Sequence, residues 1–214
     1  MVDYIIYKHK KMKKTGLIIC ATALIVTITT IACNNTETAS TYKEGSKETA
    51  VISQDSLIVR GEYLVTIMGC DDCRTPKKMG PQCPELDLSK RLSGHPEKMP
   101  LGNINQETLK SWVLFNHATT AVAGPWGVSF SANLTSDESG IGNWTEQQFF
   151  TALRKGKIKG MENGRSMLPP MPWPNYAKAS DEDLRAIFTY LKSTQPVYNV
   201  VPAPRPPEVL SKLK

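Results

Sequence analysis

Residues 68–76 read MGCDDCRTP, and the two cysteines in that stretch, Cys70 and Cys73, decide how the rest of the chain is read. Two cysteines separated by two residues lie close enough along the chain to act as a pair. Such a pair suits three chemistries: a reversible disulfide, half of a thiolate metal site, or covalent anchoring of a prosthetic group. The next residue, Arg74, supplies no metal ligand, because a guanidinium carries donors and no lone pair.

Upstream, Leu57, Gly61, Leu64 and Met68 recur at helical spacing, which predicts a short amphipathic helix stopped by Gly69 just before Cys70. Downstream, Thr75 to Ser131 is dense in proline and glycine, with one helical stretch expected around Gln106 to Asn116. That region reads as a long, mostly irregular loop, and its length calls for something buried beneath it. Thr145 and Gln148 form a capping box for a second helix carrying Phe149 and Leu153 and closed by Gly156. Ser180 caps a third, with acids Asp181 to Asp183 at its start and Leu184, Ile187, Phe188 and Leu191 on one face. All the regular structure expected is helical, so the fold class is all-α, a few short helices with a long irregular loop. After Lys192 the closely spaced prolines of QPVYNVVPAPRPPEVLSKLK predict an extended strap or stalk, laid on its own domain or docked on a partner.

The chain has 214 residues, 40% of them hydrophobic, enough for one globular domain. Lys8, Lys10, Lys11, Lys13 and Lys14 precede an apolar run from Thr15 to Ala32, so residues 1–32 read as a secretory signal. Ala32-Cys33 resembles a lipoprotein cleavage site with Cys33 lipidated; ordinary cleavage and an uncleaved membrane anchor are the other readings. Each exports the domain to the periplasmic side of the envelope. Residues 33–55, rich in Thr, Ser, Lys and Glu, read as a flexible tether, residues 56–195 as the domain and 196–214 as a proline-rich tail. The formal charge of +6 includes the five lysines and Asp3 of the signal, so the remainder carries about +2, which disfavours nucleic acid as a partner. Three cysteines remain in the exported part, Cys70, Cys73 and Cys83, an odd number that a disulfide framework cannot use up. No nucleophile elbow, phosphate-binding loop or paired-carboxylate constellation is present, so the chain does not read as an enzyme.

A helix running into Cys-x-x-Cys, a long loop, MLPPMPWPNY at 167–176 and a last helix opened by SDED at 180–183 together resemble the class I cytochrome c domain, over about Leu57 to Pro196. RGEYLVTIMGCDDC at 60–73 and GPWGVSFSANLTSDESGIGNWTEQQF at 124–149 are similar to the c-type domains of bacterial one- and two-haem cytochromes that serve membrane dehydrogenases and oxidases. The resemblance implies an exported single-electron carrier with one haem c, thioether-bonded to Cys70 and Cys73. It places the sulfur of Met171, with Met167 as fallback, on the distal side of the iron in a loop stiffened by Pro169, Pro170, Pro172 and Pro174. Trp126 and Trp173 would cover the ring faces, and the implied partner is a membrane dehydrogenase or oxidase. The family's attachment histidine is replaced by Arg74, which could instead pair with a propionate, Asp71 or Asp72. The other donors on offer are His95 in LSGHPEK, His117 in LFNHATT, and Lys77 or Lys78 after losing a proton. Three further readings stay open. They are a haem-free cytochrome-like binding or scaffold module, a zinc site from Cys70, Cys73, Cys83 and His95, and a Cys70–Cys73 disulfide without the alternating strand and helix pattern of thiol redox folds.

Overall fold

In the computed structural model, which describes residues 53–210, helix α1 runs Gln54–Ile67 and is capped by the Ser53 side chain. These residues belong to one unit, Thr49–Lys214. The signal, the lipidation of Cys33 and all but the end of the tether lie outside the described residues. Gly69 takes φ +69°, a left-handed turn that glycine adopts without strain, and redirects the chain into the five-residue helix α2, Cys70–Arg74.

Three helices carry the core. Helix α4, Glu146–Lys155, has the expected capping box and stops at Gly156, φ +62°. Helix α6, Asp181–Ser193, is capped by Ser180, with three acids in its first turn favourably placed against the helix dipole. Leu64 and Val65 of α1, Phe149 and Leu153 of α4, and Leu184, Ile187 and Leu191 of α6 meet with Leu92 and Ile141 in one buried cluster. α1 and α6 cross closely at Gly61. A Cβ there would overlap the Ala186 carbonyl and lie 2.6 Å from Tyr190 Cβ, so hydrogen is the only side chain the crossing admits.

The region read as irregular loop is partly β-structure, so helix is not the only regular structure among the described residues. Strands β1 (Lys77–Met79) and β2 (Pro84–Leu86) form an antiparallel hairpin. Helix α3 is confined to Gln106–Leu109, and β3 (Leu114–Phe115), β4 (Ala121–Gly124) and β5 (Gly127–Phe130) make a three-stranded antiparallel sheet. The reason is local: Pro125-Trp126 turns the chain between two short runs of small and β-branched residues that are buried and pair with each other. α5, Trp173–Tyr176, follows the proline loop.

The tail is a strap on its own domain. Arg205 and Val128 exchange backbone hydrogen bonds of 3.0 and 2.7 Å, and the Asn199 amide donates to the carbonyls of Ser93 and His95 at 2.7 and 2.9 Å. It closes with α7, Pro207–Leu210, whose Leu210 is buried beside β5.

Candidate functional site

α2 places Cys70 and Cys73 one turn apart, both free and both half-buried, Cys70 against the main core. The helix is held from several sides. Asp71, between the cysteines, accepts from Arg91 on both carboxylate oxygens: Nε donates to the two at 3.1 and 3.3 Å, and Nη2 donates to one of them at 2.9 Å. Arg91 also reaches Glu62 of α1 at 3.1 Å and stacks over the Tyr190 ring of α6. The buried Thr75 hydroxyl donates to Asp71 at 2.8 Å and accepts from the Leu92 N–H at 3.0 Å. Burial opposes ionisation of Asp71, but the hydrogen bonds from Arg91 and Thr75 outweigh it and hold the carboxyl below its ordinary range. At the other end, Lys77 Nζ binds the Thr75 carbonyl at 3.1 Å, Thr119 Oγ1 at 2.5 Å and the Asp72 carbonyl. Its ammonium is fully engaged, although burial pulls its pKa down.

The proline loop comes over this helix. Met171 is half-buried against the main core, and its Sδ accepts a hydrogen bond from Arg74 Nη2 at 3.0 Å. Arg74 Nη1 donates to the Ala132 carbonyl at 3.4 Å. Tyr176 closes the same corner, its hydroxyl donating to the Met68 carbonyl at 2.9 Å; burial raises its pKa, with the nearby Cys70 adding to the shift. Burial also pushes the Cys70 thiol up, against the opposing pull of Arg74, so the sulfur stays protonated and uncharged at neutral pH. That works against a reactive redox thiol.

Cys70, Cys73, Arg74 and Met171 therefore come together, and the remaining candidates do not join them. Cys83 is exposed at the end of the β1–β2 hairpin, and His117 is exposed. His95 is wholly buried; its Nδ1 bonds Thr120 Oγ1 at 2.9 Å, its ring lies 4.7 Å from that of Phe130, and its Nε2 has no hydrogen-bond partner. Burial lowers its pKa, against a smaller opposing pull from the Met99 backbone. Among the described residues no group of three or more His, Cys, Asp or Glu side chains is arranged to hold a metal ion, so the Cys70, Cys73, Cys83, His95 zinc set is not assembled. Trp126 packs on Gly124 and Trp173 on Gly156. Two surface concavities, of about 360 and 210 Å³, lie beside α6, and neither is lined by Cys70, Cys73, Arg74 or Met171.

The residues fit a haem c in one half of the site and not in the other. Two free thiols spaced along one face of α2 meet the requirement for thioether attachment. The other half does not: Arg74 has no lone pair to give a metal, and its Nη2 instead donates to the Met171 sulfur at 3.0 Å. Sequence reasoning missed this contact because nothing in the spacing of positions 74 and 171 relates them.

No family model matches the chain. It is 31% identical over 139 residues to the alcohol dehydrogenase (quinone), cytochrome c subunit of Gluconobacter oxydans, covering 64% of this chain and 21% of that protein. It is 30% identical over 139 residues to the gluconate 2-dehydrogenase cytochrome c subunit of Pantoea cypripedii, covering 64% and 23%. To the fructose dehydrogenase cytochrome subunit of Gluconobacter japonicus it is 38% identical over 72 residues, covering 33% and 14%. The chain thus spans less than a quarter of the length of these relatives. These three are cytochrome subunits of dehydrogenases, and the likeness supports a cytochrome c-like domain with an electron-transfer role and, through it, haem c binding.

Proposed function

We propose that this domain is an exported electron-transfer module that works beside a membrane dehydrogenase and holds one haem c through Cys70 and Cys73. The observation that carries the reading is the pair of free thiols one turn apart on α2, with Cys70 against the core formed by α1, α4 and α6. Those helices support an all-α, cytochrome c-like assignment, with the two small sheets as additions to it. When bound, the haem would supply one-electron redox chemistry. The chain's own contribution is orientation. Arg91, Thr75 and Lys77 pin α2 at both ends, which fixes the direction of both sulfurs, and the neutral Cys70 thiol adds no buried charge to the corner.

The test is to produce the chain with a c-type haem attachment system and record its visible spectrum before and after dithionite. Bands that shift on reduction and disappear in Cys70→Ser/Cys73→Ser support the reading; a colourless wild-type protein refutes it. One observation favours a second reading, a haem-free cytochrome-like scaffold: the contact of Arg74 with Met171. It is distinguished in the same experiment, since a protein that becomes coloured only as Arg74→His is a cytochrome fold without its cofactor.

Attachment to the envelope through a lipid on Cys33 belongs to the same proposal. Among the described residues no helix is long and apolar enough to cross a membrane. Metabolic labelling with a radioactive fatty acid, lost in Cys33→Ser, checks the anchor.

A further inference from the structure

We propose that Arg74 is a lock on Met171: its guanidinium takes the thioether as a hydrogen-bond acceptor and so withholds that sulfur from the iron of any haem held through Cys70 and Cys73. For a metal-bearing protein the inference rests on the function proposed above; for the metal-free protein it stands on the contact alone.

Three features of the site converge on the lock. The Arg74 Nη2 to Met171 Sδ distance is 3.0 Å, short for a bond to sulfur, and both side chains are half-buried, so water competes weakly for either. Arg74 is held at both ends: its guanidinium donates to the Ala132 carbonyl at 3.4 Å, and its backbone carbonyl accepts from the Gly94 N–H at 2.7 Å. The sulfur is fixed as well. The Met171 N–H bonds the Leu168 carbonyl, and the Pro169 carbonyl accepts from Ser129 Oγ at 2.6 Å, so the loop is tied to the sheet. Met171 cannot leave Arg74 by a simple rotamer change without stripping a partly buried cation of a partner.

Arg74 and Met171 face each other directly, with no room between the guanidinium and the sulfur for another partner. An arginine does more than omit a ligand at that point, because its length carries a fixed positive charge across the gap to the opposite sulfur. Met171 becomes a structural acceptor, and the iron of a thioether-held haem is left without the methionine.

The test has a metal-free arm and a metal-bearing arm. In the first, the protein without haem is treated with hydrogen peroxide and sulfoxide formation is followed by peptide mass spectrometry at Met171 and at Met161, which is 57% exposed and serves as the internal reference. The lock predicts that Met171 oxidises more slowly than Met161, and that Arg74→Ala raises the Met171 rate about fivefold, the factor expected for losing one hydrogen bond, with Met161 unchanged. Equal rates at the two methionines in the wild type, or no change at Met171 in Arg74→Ala, overturn it. Arg74→Leu, which keeps bulk and removes the donors, replaces the alanine variant should that fail to fold.

In the second arm, Met171→Leu is introduced into haem-loaded wild type and haem-loaded Arg74→His. The lock predicts that Met171→Leu leaves the wild-type spectrum unchanged and alters that of Arg74→His. A wild-type spectrum that changes with Met171→Leu shows the sulfur on the iron and overturns the lock. A wild-type chain that takes up no haem refutes the attachment reading instead, and the peroxide arm still decides the lock.

Discussion

Arg91→Met removes the clamp that orients α2 while preserving most of the side chain's apolar length. Arg91 and Asp71 are 30% and 13% exposed, and Asp71 sits between the two cysteines. Removing one partner of a fully buried ion pair costs about 3–5 kcal/mol, and exposed pairs contribute about 0.2–1 kcal/mol. A half-sheltered pair that retains the Thr75 hydroxyl falls between them, at about 2 kcal/mol. For a domain of this size that is a fall of about 6 °C in Tm. The pH dependence identifies the cause. Asp71 titrates below its ordinary range in the folded protein, so the stability it contributes is complete above that range and is lost as pH falls through the folded value. Arg91→Met removes the largest influence that lowers this carboxyl, so it titrates higher than in the wild type, and the deficit is full at pH 7 and narrows as the solution is acidified towards pH 3. Thermal unfolding followed by circular dichroism from pH 7 downward measures this directly. A Tm within about 1 °C of wild type at pH 7, or a deficit equal at every pH, refutes the assignment of the clamp.

Two other perturbations follow from the fold. Gly61→Ala puts a methyl into the Ala186 carbonyl and against Tyr190 Cβ, so α1 and α6 must separate; a loss of about 1–3 kcal/mol is expected in urea unfolding, and an unchanged midpoint would contradict the close crossing. His95 is buried with its pKa lowered, so the unfolded chain binds the extra proton first and stability drops as pH falls below the ordinary histidine value of about 6.5. His95→Gln removes this dependence between pH 7 and 5, and a slope identical to wild type in that window assigns it to another group.

The helices were legible because their ends are written in local chemistry. Thr145 with Gln148, Ser180 with its three acids, and glycines at 69 and 156 each satisfy or stop a backbone within a few residues of themselves. The strands were not legible, since the same proline and glycine density that reads as loop also makes the tight Pro125-Trp126 turn; the short apolar runs Ala121–Gly124 and Gly127–Phe130 on either side of it were the available sign. In the site, Cys70 and Cys73 are neighbours in sequence, so their proximity was foreseeable, but the short helix α2 that carries them after Gly69 was not. The 3.0 Å contact between Arg74 and Met171 joins positions 97 residues apart and depends on how the proline loop falls over α2, which no local pattern encodes. His95 shows the converse: an imidazole that looks available in the letters is spent on Thr120 and Phe130 in the interior.

The most direct measurement is the intact mass of the denatured wild-type chain after production with a haem attachment system, compared with Cys70→Ser/Cys73→Ser. The account predicts an adduct of one haem on the wild type and none on the double variant. A wild-type mass without the adduct, or an adduct that persists when both cysteines are gone, contradicts it.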